Sequence, residues 1–438
     1  MKTDTLRFMV QPGGALKGDI QVPGDKSISH RAVIFGVLAQ GVTEVSGFLD
    51  GLDCLATRDA FRAMGVKIEG PAEGHLTIHG VGLRGLQAPV RVLDMGNSGT
   101  SMRLLAGLLS AQLFDSVLVG DESLMRRPMR RVIEPLTQMG ARIEANVKGT
   151  APLRIHGGQK LHGINYTLPV ASAQVKSALL LAGLYAQGET LIHEPAPSRD
   201  HTERMLQSLG YPLSVAKGKI RITGGASLRA GRIEVPGDLS SAAFFLIGAS
   251  IAQGSDLLIR NVGVNPTRIG VIEILRLMGA DISWENTRYL GAEPIADLHV
   301  RARPLRGIEV PAELVPLAID EFPALFIAAA CARGETVVTQ AAELRVKESD
   351  RIQVMANGLQ ALGIQAQPTS DGIRIQGSEL QGGTVESYGD HRIAMAFAIA
   401  GLRAREPIVI NDCANVETSF PGFIRLAAAA GLAVTAQR

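Results

Sequence analysis

Cysteine is scarce in this chain, with three among 438 residues, and Cys54, Cys331 and Cys413 stand far apart with no metal-ligand spacing. That excludes a disulfide framework and a structural zinc site; the three read as core thiols. Aromatic residues are few, 4% of the chain, and 44 Lys and Arg against 42 Asp and Glu leave a formal charge of only +2. With little to stack on bases and no global basic bias, neither nucleic acid nor an anionic membrane is an expected partner. Long apolar runs are lacking too: each is broken by Gly, Gln or Arg well short of a membrane span, and the opening MKTDTLRFMV has no signal-peptide segment. A cytoplasmic chain is predicted. There is no phosphate loop ending in Gly-Lys-Ser/Thr and no HExxH. Gly80-Val81-Gly82-Leu83-Arg84-Gly85 has the spacing of a dinucleotide fingerprint, but LQAPV follows it where a helix is required, so it reads as a turn.

What the chain does have is repetition. At 46% hydrophobic residues it can bury two or three sizeable cores. An apolar residue followed by Gly, then a short alternating strand, recurs six times, with the glycines at 65, 140, 210, 279, 363 and 431. Glycine suits a helix end because it enters the left-handed region freely. A second pattern interleaves with the first: a polar start followed by about three turns of small apolar residues. Its copies are DKSISHRAVIFGVLAQG, GNSGTSMRLLAGLLSAQ, SAQVKSALLLAGLYAQG, DLSSAAFFLIGASIAQG, DEFPALFIAAACARG and DHRIAMAFAIAGL. Being apolar on nearly every face, these six helices are expected to be buried. Val22-Pro23-Gly24-Asp25 returns as Val235-Pro236-Gly237-Asp238. An α/β protein of six units follows, in two three-unit lobes, 22–234 and 1–21 plus 235–438.

Buried helices with polar starts suggest a chemistry. A helix start exposes unpaired N–H groups and partial positive charge, both favouring anions. Ordinary capping by Ser, Asn or Asp explains any single start; the cations at several starts weigh against capping alone. Lys26, Ser27 and Arg31 head the first helix, Asn97, Ser98, Gly99, Thr100 and Arg103 the second, and Ser172, Gln174 and Lys176 the third. Asp320 and Glu321 head the fifth, and Asp390, His391 and Arg392 the sixth; the fourth, DLSSAAFF, has no cation. Loops add Arg126, Arg127, Arg130 and Arg131, at face value a solvated basic face, then Arg199 beside a helix cap at Asp200, and Arg345, Lys347, Glu348 and Arg351. A carboxylate among cations is kept ionised, so Glu348 can serve as an acid only if another influence raises its pKa. If packing turns the six starts toward one cleft, that cleft traps small, multiply anionic molecules. The residues alone name no reaction.

VPGDKSISHRA, GNSGTSMRLLAG, RRPM, ASAQVKSALLLAG, SRDHTER, DEFPAL, LRVKESDRI and DHRIAMAFAI together resemble the 5-enolpyruvylshikimate-3-phosphate synthase family, in order and over essentially the whole chain. The resemblance implies a two-lobed inside-out α/β barrel of six βαβαββ repeats, three per lobe. It implies transfer of the enolpyruvyl group of phosphoenolpyruvate to the 5-hydroxyl of shikimate 3-phosphate, with release of phosphate, by a monomer that needs no metal or other cofactor. Carried over residue by residue, Lys26, Ser27, Arg31, Ser172, Ala173, Gln174, Arg199, Asp320 and Lys347 would bind shikimate 3-phosphate. Lys26, Asn97, Gly99, Arg127, Gln174, Arg351, His391 and Arg392 would bind phosphoenolpyruvate. Asp320 would be the base, Glu348 the acid, and Lys26 would touch both substrates. The missing side chain of Gly99 would leave room for glyphosate, the family's inhibitor. Some members carry a lysine just before the Phe-Pro near the C-terminus, where this chain has Glu417-Thr418-Ser419. The sister transferase acting on UDP-N-acetylglucosamine normally carries a cysteine in the loop corresponding to LMRRPMRR, and none stands here. A non-catalytic anion-binding module is the other alternative; the joint presence of Lys26, Asp320 and Glu348 argues against it.

Overall fold

Each apolar–Gly pair of the repeat ends a helix. In the computed structural model, which describes residues 6–438, the six glycines adopt φ between +80° and +114°. They close Leu52–Ala63, Arg130–Gln138, His201–Ser208, Gly270–Leu277, Arg351–Ala361 and Phe423–Ala430. Residues 1–5, the start of the segment 1–21 assigned to the second lobe, lie outside the described residues.

The second pattern forms six core helices: Lys26–Leu38, Gly99–Leu109, Ala173–Gly183, Leu239–Ile251, Phe322–Ala330 and His391–Ala400. All are buried over most of their length because they carry no polar face after the first turn. Five starts are capped by their own side chains. Asp25, Ser98, Ser172, Asp238 and Asp390 accept from the backbone N–H two or three residues further on. The fifth helix instead has Pro323 in its first turn and no side-chain cap. Capping is therefore real at five starts, and any ligand there must use the N–H groups and cations that remain.

Six small sheets accompany the helices, and one pairing order recurs. Asn165–Thr167 runs parallel to Glu189–His193, which pairs antiparallel with Lys219–Thr223 and that in turn with Leu213–Ala216. Gly383–Glu386, Ile408–Asn411, Arg7–Val10 and Val434–Gln437 repeat the order with Arg7–Val10 supplied from the other end of the chain. In the sheet of Glu335–Val338, the parallel neighbour is reduced to the bridges Arg306↔Arg333 and Glu309↔Val337.

The chain forms two compact units. One is Gly24–Val235 with Leu290–Glu293; the other contains residues 6–23, Pro236–Tyr289 and Pro294–Arg438. Each has three sheets, three core helices and its own hydrophobic core. In the first unit the second and third core helices approach so closely that a Cβ on Gly107 would stand 2.1 Å from the carbonyl oxygen of Ala178, a position only glycine can fill. In the other unit the three core helices pack mutually. Cys54 and Cys413 are buried as expected, whereas Cys331 is only half-buried because it sits at the end of its helix. The Gly80–Gly85 string ends the strand His75–Val81 and runs into a turn, with Gly82 at φ +71°. No described helix is long and apolar enough to cross a membrane.

Candidate active site

In the 24–235 unit, three core-helix starts carry the predicted residues. Lys26 opens the first helix, with Nζ 2.8 Å from Asp53 Oδ2. Asp53 lies on the helix Leu52–Ala63, and nothing in the local sequence links it to Lys26; sequence reasoning missed it. Arg31, one turn further, is 3% exposed and braces the unit. Its Nε donates to Thr202 Oγ1 at 2.7 Å, Nη1 to the Ser27 carbonyl at 2.9 Å and Nη2 to Ser177 Oγ at 2.7 Å. Burial lowers its pKa to about 10, with Glu203 and Asp25 opposing and Arg199 adding to the fall. A guanidinium has five N–H donors, so three such bonds leave two for a ligand. Arg199 and Ser27 are half-buried, and Ala173 begins its helix with only its backbone N–H to offer.

The second and third starts meet at Gln174. Its Oε1 accepts from Arg103 Nη1 at 2.7 Å and its Nε2 donates to Thr100 Oγ1 at 3.0 Å. Arg103 also reaches the carbonyls of Gly99 and Pro128. Arg127 Nη2 donates to Asn97 Oδ1 at 2.9 Å, and Asn97 Nδ2 to Asp121 Oδ2 at 2.6 Å. Gly99 lies beneath both guanidiniums: a Cβ there would meet Arg103 Nη1 at 2.8 Å and Arg127 Nη1 at 3.0 Å. The solvated-face reading of RRPMRR therefore needs correction. Arg126 and Arg130 are exposed, but Arg131 is half-buried and Arg127 is buried, turned inward by the short helix Glu122–Arg126. Asp200 precedes its helix as expected, yet its carboxylate takes Arg204 Nε at 2.8 Å and makes no cap bond.

Two buried clusters support these starts. His30 Nδ1 bonds Thr57 Oγ1 at 2.8 Å, Thr57 bonds Ser101 Oγ at 2.6 Å, and Ser101 bonds Ser98 Oγ at 2.7 Å, joining the first helix to the cap of the second. Burial, then the charges of Lys26 and Arg31, push the His30 pKa well below 6.5, so the ring is neutral. Lys176, at the start of the third core helix, is fully buried and holds Glu203 at 2.7 Å and Glu194 at 3.0 Å.

In the other unit the predicted residues gather around the fifth and sixth starts. Lys347 and Glu348 lie in the turn before the helix Arg351–Ala361. Arg351 is 1% exposed; its Nε donates to Asp390 Oδ2 at 2.8 Å and its Nη2 to Glu348 Oε2 at 2.6 Å. Burial works against its charge, but Asp390, Glu348 and Asp320 together hold its pKa above the ordinary arginine value. Asp320 Oδ1 stands 3.5 Å from Lys347 Nζ and 3.6 Å from Arg351 Nη1, and the Asp320 carbonyl accepts from Arg392 Nη1 at 3.0 Å. Arg351 Nη1 is buried and makes no hydrogen bond among the described residues. The Asp320 carboxylate 3.6 Å away balances its charge without completing a hydrogen bond, and a buried donor left without one is costly. His391 is the buried first residue of the sixth helix. At the segment lacking the lysine, Glu417 is exposed while Thr418 is buried and donates to the Asn415 carbonyl. Among the described residues no cluster of His, Cys, Asp and Glu is disposed to hold a metal ion.

The arrangement is a set of buried guanidiniums and helix starts with two carboxylates beside them, and comparison with known proteins decides its kind. The family model described as EPSP synthase (3-phosphoshikimate 1-carboxyvinyltransferase) matches residues 10–426. The chain belongs to the EPSP synthase family. A 3-phosphoshikimate 1-carboxyvinyltransferase of Methylococcus capsulatus is 66% identical, with 97% of each chain covered. One of Nitrosococcus oceani is 64% identical over 98% of this chain and 97% of that protein. The solved EPSP synthase of Acinetobacter baumannii superposes with a TM-score of 0.89 at 58% identity, covering 99% of this chain and all of that one. The enolpyruvyl transferase NikO of Streptomyces tendae, 17% identical with a TM-score of 0.79 over 99% of each chain, shares the fold. The chain thus has the two-lobed inside-out α/β fold of the EPSP synthases, and it is an enzyme.

Proposed function

We propose that this chain transfers the enolpyruvyl group of phosphoenolpyruvate to the 5-hydroxyl of shikimate 3-phosphate, and that the residues named above divide the work. Lys26, Ser27, Arg31, Ser172, Ala173, Gln174, Arg199 and Lys347 hold shikimate 3-phosphate. Asn97, Gly99, Arg127, Arg351, His391 and Arg392 hold phosphoenolpyruvate, with Lys26 and Gln174 serving both. Asp320 takes the proton of the 5-hydroxyl as its oxygen bonds to the central carbon of phosphoenolpyruvate, while Glu348 delivers a proton to the methylene carbon. In the second step the carbon–oxygen bond to phosphate breaks, the methyl carbon returns a proton, and the enol ether and phosphate remain. Two phosphates and a carboxylate call for several cations, and each charge-assisted hydrogen bond contributes about 1.5–3 kcal/mol.

The observation that carries the reading is Arg351: a buried guanidinium that binds Glu348 and Asp390, lies beside Asp320, and has one nitrogen without a hydrogen-bond acceptor. An anionic group placed on that nitrogen competes with Glu348 for the guanidinium and so eases protonation of the acid. Arg351→Gln should raise KM for phosphoenolpyruvate at least about tenfold, the loss of one such bond, with KM for shikimate 3-phosphate changed far less. Equal effects on both substrates would count against this assignment. The absence of a cysteine between Leu124 and Arg131 disfavours the UDP-N-acetylglucosamine reaction. We also propose a soluble, cytoplasmic monomer inhibited by glyphosate.

A further inference from the structure

The helix Leu52–Ala63 carries none of the residues proposed to touch a substrate, yet it reaches two of the helix starts that do. Asp53, in its first turn, accepts from Lys26 Nζ at 2.8 Å. Thr57, one turn on, meets His30 Nδ1 at 2.8 Å. Four residues separate Lys26 from His30 and Asp53 from Thr57, which puts each pair on one helix face, so the two faces are joined twice. From Thr57 the contacts pass to the second core helix. Thr57 Oγ1 lies 2.6 Å from Ser101 Oγ, which donates to Ser98 Oγ at 2.7 Å. Ser98 caps the helix Gly99–Leu109 by accepting from Ser101 N at 3.1 Å. His30, Thr57, Ser98 and Ser101 are all buried.

The hydrogens in this chain of contacts have one order. A hydroxyl has a single hydrogen and two lone pairs. Ser101 uses its hydrogen on Ser98, so Thr57 donates to Ser101; Thr57 then has none left for His30, so the ring donates from Nδ1. The N–H and O–H of Ser101 together fill both lone pairs of Ser98 Oγ. Apolar groups of the same shape in place of such a bonded set would leave stability nearly unchanged, so stability alone gives no reason for four polar side chains here. What the set fixes is the cap of the second core helix, held against the elements that bear Lys26 and Asp53. On either side of that cap stand Asn97, whose Oδ1 accepts from Arg127 Nη2 at 2.9 Å, and Gly99.

We propose that Thr57 and Ser101, with His30, are positioning residues for the second helix start, holding Asn97 and Gly99 where they meet phosphoenolpyruvate. The proposal rests on the placing of that substrate at this start. Thr57→Val keeps the shape of the side chain and removes its hydroxyl. KM for phosphoenolpyruvate should rise about fivefold, the loss of one hydrogen bond. KM for shikimate 3-phosphate should stay within about twofold, because the bond from Lys26 to Asp53 is untouched. Thr57→Ser, which keeps the hydroxyl, should leave both KM values within about twofold of those of the unaltered chain. In a Ser98→Ala background the last acceptor is gone, and there Thr57→Val should change KM for phosphoenolpyruvate less than about twofold. Ser101→Ala breaks the same set at its next member; measured alongside, it covers a failure of Thr57→Val to fold. Equal rises in both KM values, a rise in neither, a Thr57→Ser variant as impaired as Thr57→Val, or the full fivefold change in the Ser98→Ala background overturns the proposal. An unchanged KM for phosphoenolpyruvate in Asn97→Ala overturns instead the placing of that substrate.

Discussion

Gly99→Ala sets two effects of comparable size against each other. The backbone of Gly99 is helical, not left-handed, and it is the first residue of its helix, so alanine brings up to about 1 kcal/mol of helix propensity. Against this, its Cβ would stand 2.8 Å from Arg103 Nη1 and 3.0 Å from Arg127 Nη1. Carbon–nitrogen contacts relax to about 3.4–4.0 Å, so both guanidinium tips must retreat by roughly half an ångström or more. They are the ends of flexible side chains, so the fold tolerates the shift. The 2.7 Å bond from Arg103 to Gln174 and the 2.9 Å bond from Arg127 to Asn97 do not tolerate it equally. Loss of one charge-assisted bond's worth of anion binding, about 1.5–3 kcal/mol, raises KM for phosphoenolpyruvate about 10- to 150-fold and weakens glyphosate inhibition with it. Melting temperature should be unchanged or higher. Steady-state kinetics against phosphoenolpyruvate, with calorimetric melting on the same preparation, separates the two effects. An unchanged KM and unchanged inhibition would refute the claim that this helix start receives an anion.

Asp320→Asn should lower kcat by about 10²–10⁴, the range for loss of a general base, with the KM values largely kept; a rise in KM at constant kcat would reassign Asp320 to binding. Lys176→Met leaves Glu194 and Glu203 buried without their cation, and breaking such a pair costs about 3–5 kcal/mol; a urea-unfolding change below about 1 kcal/mol would contradict that. His30 has a folded pKa depressed by burial and by Lys26 and Arg31. Below about pH 6.5 the unfolded chain therefore binds a proton that the folded one does not. Stability should be full above that pH and fall beneath it by at most about 1.4 kcal/mol per pH unit until the folded pKa is reached. In His30→Asn that segment of the stability–pH curve should flatten, and an unchanged slope would show that other groups set it.

Much of the fold was legible because it is written locally. The helix-ending glycines and the polar starts need only their own few residues, and all six of each stand where the repeat puts them. Residues on or beside a helix start, such as Gln174, Arg351 and Arg392, could be placed in the fold for the same reason. Partners brought in by packing could not. Asp53 reaches Lys26 from a neighbouring helix, and Arg268 reaches Asp238 across 30 residues with no periodic signal. Burial was equally hidden: RRPMRR gives no sign that Arg127 turns inward while Arg126 does not. Nor does KSISHR show that Arg31 is first a brace to Thr202 and Ser177.

Phosphate release from phosphoenolpyruvate, measured with shikimate 3-phosphate, with UDP-N-acetylglucosamine in its place, and with the first pair plus a chelator, decides which acceptor the chain uses. Release is expected with shikimate 3-phosphate, undiminished by the chelator, and none with the UDP-sugar. No release with shikimate 3-phosphate, or release with the UDP-sugar alone, would contradict the proposed reaction.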